Sequence, residues 1–262
     1  MLYGTIFGDM AGSTYEWHPV KNKKFETFPI KSHFTDDTVM TLAVASWLSS
    51  TDRTSDALVK SMQYFGNLYP HAGYGRNFYN WLRDENPQPY YSWGNGSAMR
   101  VSPCSWVAKT LHEAETLAET SAIVTHSHPE GIKGAQAVAA AIYMARIGSS
   151  KELIKDYIET AYGYNLSRTI EEIKSSGYKF DVSCQGSVPE AIIAFLEGNS
   201  FEEAIRLAIY LGGDADTQAA IAGSIAEAFC GIPTNFVGVV EKRLDKTLLD
   251  VLNQFNNKYN NE

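Results

Sequence analysis

The run Leu211-Gly212-Gly213-Asp214-Ala215-Asp216-Thr217, leading into QAAIAGSIAEAFCG over 218–231, constrains this chain more than any other stretch. Adjacent glycines allow a tight turn and close backbone approach. Two carboxylates and a hydroxyl then fall where the first turn of a helix begins. Behind them Ala219, Ala220, Ala222, Gly223 and Ala226 flatten that helix. Neighbours can approach so slim a helix closely, so its N-terminus can be held deep inside the protein. Oxygen donors in that position suit Mg²⁺, Mn²⁺ or Ca²⁺. An ordinary Asp or Thr N-cap is the simpler alternative.

The same chemistry recurs near the other end of the chain. Phe34-Thr35-Asp36-Asp37-Thr38 precedes VMTLAVASWL, which has helical apolar spacing. Thr35 is the expected N-cap, and the acidic residues suit the positive end of the helix dipole. A cap needs one acceptor, yet the two stretches supply Asp36, Asp37, Asp214 and Asp216, with Thr35 and Thr217 beside them. If they meet, four like charges repel in a partly dry site, and a pair of divalent cations is the natural compensation. Two such cations, roughly 3.5–4 Å apart, can bind ligand oxygens and acidify water. Chain spacing alone does not establish that the two stretches meet.

The remaining pattern is helical. Gly4, Gly8 and Gly12 share one helix face and are expected to serve close packing. Asp9 and Glu16 stand two turns apart on the same side. Residues 17–34 form a polar loop carrying Lys21, Lys23, Lys24 and Lys31, which could fold over a ligand as a lid. Helices are expected over 54–68, 113–124 and 130–147, and from about 235 to 255 before an Asn-rich tail. Loops are expected over 71–75 and 86–93. The pairs Ser149/Glu152, Ser187/Glu190 and Ser200/Glu203 read as capping boxes. No period-2 alternation is sustained. The expected fold is all-α, one multi-helix domain over 1–262, without repeats or linkers.

A net charge of −8 disfavours non-specific nucleic-acid binding. It leaves anionic ligands open, because bound cations invert the local field. Cys104, Cys184 and Cys230 lack metal-type spacing, suit a reducing cytoplasm and are expected to be small buried residues. No basic leader precedes the first apolar run, Asp9 interrupts that run, and no stretch of 18 apolar residues occurs. A soluble, cytoplasmic protein is expected, with a monomer as the default.

Five segments together resemble the ADP-ribosylglycohydrolase family: GDMAGSTYE (8–16), FTDDT (34–38), GNGSAMR (94–100), THSHP (125–129), and GGDADT followed by AAIAG (212–223). They occur in the family's order over residues 4–231. The resemblance implies an all-α fold with a binuclear Mg²⁺ or Mn²⁺ centre that cleaves the bond between ADP-ribose and an acceptor. Thr35, Asp36, Asp37, Asp214, Asp216 and Thr217 would be the metal ligands. Glu16 would head a mobile flap formed by the lysine-bearing loop. Ser92, Trp93, Gly94, Asn95 and Gly96 would hold the diphosphate and adenosine side, with His126 near the bound ADP-ribose. Val182 would line the adenine side, and His128 would be structural. Ala215 stands where the family often has Thr, and Trp93 where other aromatic or polar residues occur.

The expected reaction builds oxocarbenium character at the anomeric carbon as the acceptor departs. Glu16, Asp36 or Asp37 would assist proton transfer. The resemblance leaves the acceptor open: a protein side chain linked through arginine or serine, O-acetyl-ADP-ribose or another small ADP-ribosyl conjugate, or a nucleic-acid adduct. The acidic surface disfavours a nucleic-acid adduct. The alternatives are a non-catalytic ADP-ribose-binding or structural member of the fold, and a helical two-metal phosphohydrolase. The latter usually draws on His-Asp pairs, and this chain contains no such dipeptide.

Overall fold

The structure is a computed structural model that describes residues 1–259. Fourteen α-helices and one 3₁₀ turn make up its regular structure among the described residues, with a single isolated bridge between Gly94 and Ser183. The all-α expectation holds. Residues from all fourteen α-helices enter one continuous hydrophobic core.

The central pair is α1 (Tyr3–Gly12) and α12 (Ala215–Cys230), which pack backbone to backbone. A methyl group on Gly4, Gly8 or Gly12 would overlap the backbone of Gly223, Ala219 or Ala215 respectively. The order of these contacts makes the helices antiparallel. The end of α1 therefore meets the start of α12. The close-packing expectation for the three glycines holds.

Around this pair stand α2 (Asp36–Ser49), α7 (Pro129–Arg146), α10 (Cys184–Glu197) and α11 (Phe201–Leu211). Outside them lie α3 (Ser55–Leu68) against α2 and α6 (Leu111–Ile123) against α7. The alanine-rich α7 is buried along most of its length, as its composition predicts. No helix among the described residues is long and apolar enough to cross a membrane.

Several local expectations fail for identifiable reasons. The helix expected over 235–255 is two helices, α13 (Thr234–Arg243) and α14 (Lys246–Tyr259). Leu244 is extended, and Asp245 Oδ1 accepts from Leu248 N at 3.1 Å and from the Tyr69 hydroxyl at 2.9 Å. The Asp245 side chain thus competes with the helical ladder and starts a new helix. Because α14 runs to Tyr259, only the last three residues of the expected Asn-rich tail remain, and they lie outside the described residues.

The capping boxes also shift. Ser150, not Ser149, caps α8 (Lys151–Tyr162). Ser183 caps α10, leaving Ser187 inside that helix. Ser200 does cap α11, but Glu203 accepts from Asn199 N instead of returning to its cap. The complete box is Thr169 with Glu172, ahead of α9 (Ile170–Ser175). Cys104 and Cys184 are buried as expected, whereas Cys230, at the end of α12, is exposed.

Candidate metal centre

Asp9 emerges from α1 with no solvent exposure and acts as the organiser of the site. Its carboxylate accepts from Thr35 N (2.9 Å), Thr35 Oγ1 (2.7 Å), Thr38 N (3.1 Å) and Thr38 Oγ1 (2.5 Å). Four donors tie the N-terminus of α2 to α1. Burial raises the Asp9 carboxyl above its ordinary value, and these hydrogen bonds oppose the shift.

Thr35 is the α2 N-cap, accepting from Asp37 N at 3.3 Å as expected. Its hydroxyl also lies 3.3 Å from Asp37 Oδ2. From the far end of the chain, Thr217 Oγ1 donates to the same Asp37 Oδ2 at 3.2 Å. The two acidic stretches therefore meet.

Two sets of carboxylates form there, Asp9–Asp37–Asp216 and Glu16–Asp214–Asp216, each with its oxygens within 4.8 Å of one another. Asp216 belongs to both. Asp36 joins neither, although its charge is felt by Asp214. It lies half-buried at the edge, its backbone N–H bonded to Ala72 O at 2.8 Å. Gly73, at φ +111°, leaves room for the Asp36 carboxylate: a Cβ there would stand 3.2 Å from its Oδ1.

Glu16 does not share a helix with Asp9, because α1 ends at Gly12. It reaches the cluster from the turn that follows. The loop after it is fastened by several contacts: the Trp17 ring stacks on Phe180 at 4.9 Å, the Tyr15 hydroxyl donates to Glu26 O at 2.5 Å, and Lys23 pairs with Glu171 at 2.8 Å.

Asp214 is the α12 N-terminal residue, yet its side chain makes no cap hydrogen bond. The simple N-cap reading of this residue is thereby removed. Its Oδ2 accepts instead from Asn95 Nδ2 at 2.7 Å, and the same amide donates to Ser187 Oγ at 3.1 Å. Gly212 and Gly213, at φ +70° and +129°, make the turn that delivers it. Tyr178 packs against Gly213 and accepts from Gln218 Nε2 at 2.6 Å, bracing the turn from outside.

The electrostatics are one-sided. Burial, then repulsion from Asp9 and Asp216, pushes Asp36 and Asp37 well above the ordinary carboxylate range. Burial and the neighbouring Asp214 do the same to Asp216. Burial alone is the largest cause for Asp214, raised to about 6. Burial, with Asp216 adding to it, raises Glu16 to about 7. None of the ion pairs among the described residues involves these groups. Asp37 Oδ1 is buried with no hydrogen-bond partner among the described residues.

An all-oxygen donor set, an unpaired buried carboxylate oxygen and missing counter-charge together fit hard divalent cations. The carboxylates and the Thr35 and Thr217 hydroxyls are the oxygen donors here that could hold such ions.

The loop expected to hold a ligand borders this cluster. Ser92 Oγ accepts from Gly94 N at 3.1 Å. Asn95 N donates to Val182 O at 2.8 Å, and Cys184 N to Trp93 O at 2.9 Å, so the loop is stitched to the start of α10. Trp93 and Val182 are about half exposed, while His126 is buried. Gly94 and Gly96 lie under the His126 ring, where Cβ atoms would come 3.4 and 3.2 Å from Nε2. His128 caps α7 (Pro129–Arg146), its Nδ1 accepting from Glu130 N at 3.0 Å, which fits the expected structural role.

In the sequence Asp9 stands out without a role, and the family resemblance places Asn95 only in the ligand loop. The available signal for Asp9 was its place beside the glycine face of α1, a carboxylate in a helix that close packing must bury. Nothing in the sequence pointed from Asn95 to Asp214.

A family model described as ADP-ribosylglycohydrolase matches residues 1–261. The chain is similar to the ADP-ribosylarginine hydrolase Tri1 of Pseudomonas putida, with 28% identity over 88% of this chain and 70% of that protein. It is also similar to the ADP-ribosylhydrolase ARH3 of Mus musculus, with 25% identity over 88% of this chain and 83% of that protein. A solved structure named as an ADP-ribosylglycohydrolase-related protein complex shares the fold, with a TM-score of 0.72 and 23% identity. That likeness covers 97% of this chain and 94% of the other.

Proposed function

Since the chain belongs to the ADP-ribosylglycohydrolase family, we propose that it is a divalent-metal-dependent hydrolase that cleaves the glycosidic bond between ADP-ribose and an acceptor. Residues 1–262 act as one domain. Thr35, Asp36, Asp37, Asp214, Asp216 and Thr217 hold two cations, Mg²⁺ or Mn²⁺. When bound, such ions supply positive charge beside the ribose hydroxyls and acidify water.

The observation that carries this reading is the meeting of Thr217 and Asp37, with Asp37 Oδ1 left unpaired in a buried, uncompensated acidic cluster. Charge crowding of this kind favours a cation over an ordinary cap. Asp9 orients Thr35, and Asn95 orients Asp214. Glu16 and Asp36 are the half-buried carboxylates that an incoming substrate can reach. With Asp37, they carry the protons that pass to the departing acceptor or from water.

Ser92, Trp93, Gly94, Asn95, Gly96 and His126 hold the diphosphate and adenosine, with Val182 beside the base. Glycine amides suit phosphate oxygens, and the exposed Trp93 ring offers a stacking face. The lysine-bearing loop after Glu16 acts as the flap. The acceptor is a protein side chain, such as arginine or serine, or a small conjugate.

A panel of defined ADP-ribosyl conjugates, incubated with Mg²⁺ or Mn²⁺, tests the reading. Release of intact ADP-ribose is expected, and it should disappear in the Asp214→Asn/Asp216→Asn variant. Cleavage inside the diphosphate, turnover of no conjugate, or full activity in the double variant would each overturn it.

A further inference from the structure

Arg100 is fully buried and has no carboxylate partner among the described residues. Its Nη2 donates to Ser121 O at 2.6 Å and to Thr125 Oγ1 at 2.9 Å, and its Nε points at Ser121 Oγ at 3.4 Å. Thr125 Oγ1 lies 2.7 Å from His126 Nδ1. A guanidinium only donates, so the Thr125 hydroxyl accepts from Arg100 and has one proton left to give.

That proton has two possible acceptors. Ala122 O is 3.4 Å away and already takes backbone N–H bonds from Thr125 at 3.1 Å and His126 at 2.7 Å. His126 Nδ1 is closer and otherwise unpartnered. The proton therefore goes to Nδ1, which leaves the ring hydrogen on Nε2. Buried beside the Arg100 cation, the ring stays neutral.

His126 is only 5% exposed, and among the described residues its Nε2 makes no hydrogen bond. That nitrogen sits over Gly94 and Gly96, where the missing side chains leave space. We propose that Arg100 and Thr125 are positioning residues that lock His126 in its Nε2–H tautomer, presenting a fixed N–H donor to an anionic oxygen of a ligand on the Gly94–Gly96 loop. The Arg100 charge behind the ring favours an anionic acceptor over a neutral one. Identifying that oxygen as belonging to the ADP-ribose diphosphate rests on the proposed function, whereas the tautomer lock does not.

Long-range proton–nitrogen correlation spectra of the full chain, ¹⁵N-labelled at histidine, test the lock. The His126 signals are identified by their loss in His126→Gln. A protonated Nε2 and a bare Nδ1 are expected, and the opposite tautomer would overturn the proposal. In Thr125→Val the two tautomers should mix and ADP-ribose affinity, measured by calorimetry with Mg²⁺, should fall about tenfold for one lost oriented hydrogen bond. Thr125→Ser should restore both. An unchanged spectrum and affinity in a folded Thr125→Val would also overturn it. Should that variant not fold, the wild-type spectrum decides alone. Absence of ADP-ribose binding by the wild-type protein would count against the proposed activity, with the spectrum still judging the lock.

Discussion

Thr217 donates its hydroxyl proton to Asp37 at 3.2 Å across a separation of 180 residues. Both lie in the first turn of a helix, and both helices pack on α1. Three helix ends thus deliver like charges to one place. The consequences can be measured.

In chelator, the cluster should make the fold acid-loving. Burial holds Glu16 at about 7 and Asp214 at about 6. An unfolded carboxyl titrates at about 4. The folded chain therefore binds these protons more tightly than the unfolded one. Their contribution is complete below about pH 4 and is lost as pH rises through 6 and 7. Thermal melts with chelator should show Tm falling between pH 5 and 8, and Mg²⁺ or Mn²⁺ should reverse the fall near neutrality. A flat profile in chelator would contradict the crowding.

Gly8→Ala should damage both stability and the site. The added methyl meets the Ala219 backbone, which cannot move as a side chain could. Overpacking of this kind costs about 1–3 kcal/mol or more. Urea unfolding should register the loss. Divalent binding should weaken in parallel, since Asp9 and Asp216 would be pushed apart.

Asn95→Ala removes the donor to Asp214 Oδ2 without removing a carboxylate. Loss of an outer partner of this sort lowers metal affinity or activity by about 10–100-fold. Calorimetric titration with Mn²⁺ should place the variant in that range. Wild-type affinity would show that Asp214 is held by its backbone turn alone.

Trp17→Ala removes the stack with Phe180 that fastens the loop after Glu16. Trp17 is 69% exposed, so global stability should change by no more than about 1 kcal/mol. Trypsin should nevertheless cut faster after Lys21, Lys23 or Lys24. Unchanged cleavage kinetics would mean that the Lys23–Glu171 pair and its neighbours hold the loop by themselves.

Much of this could be read from residue order. Amphipathic spacing, the small residues of α12 and the every-fourth glycines of α1 are local patterns, and they predicted a helical fold with close-packed helices. The oxygen chemistry of Asp36, Asp37, Asp214 and Asp216 is a property of the residues themselves, and five motifs in order carried the family. Helix ends were less legible. Asp245 and Ser183 start helices that hydrophobic spacing had run together or misplaced, because a side chain capping a backbone amide leaves no periodic trace.

Tertiary structure alone decided that the acidic stretches converge, that Asp9 binds the α2 N-terminus, and that Asn95 reaches Asp214. Each is a contact between segments far apart in the chain, and its geometry follows from how closely α1 and α12 approach. Chemistry belongs to the side chain and survives in a string of letters. Proximity belongs to packing, and only the folded backbone supplies it.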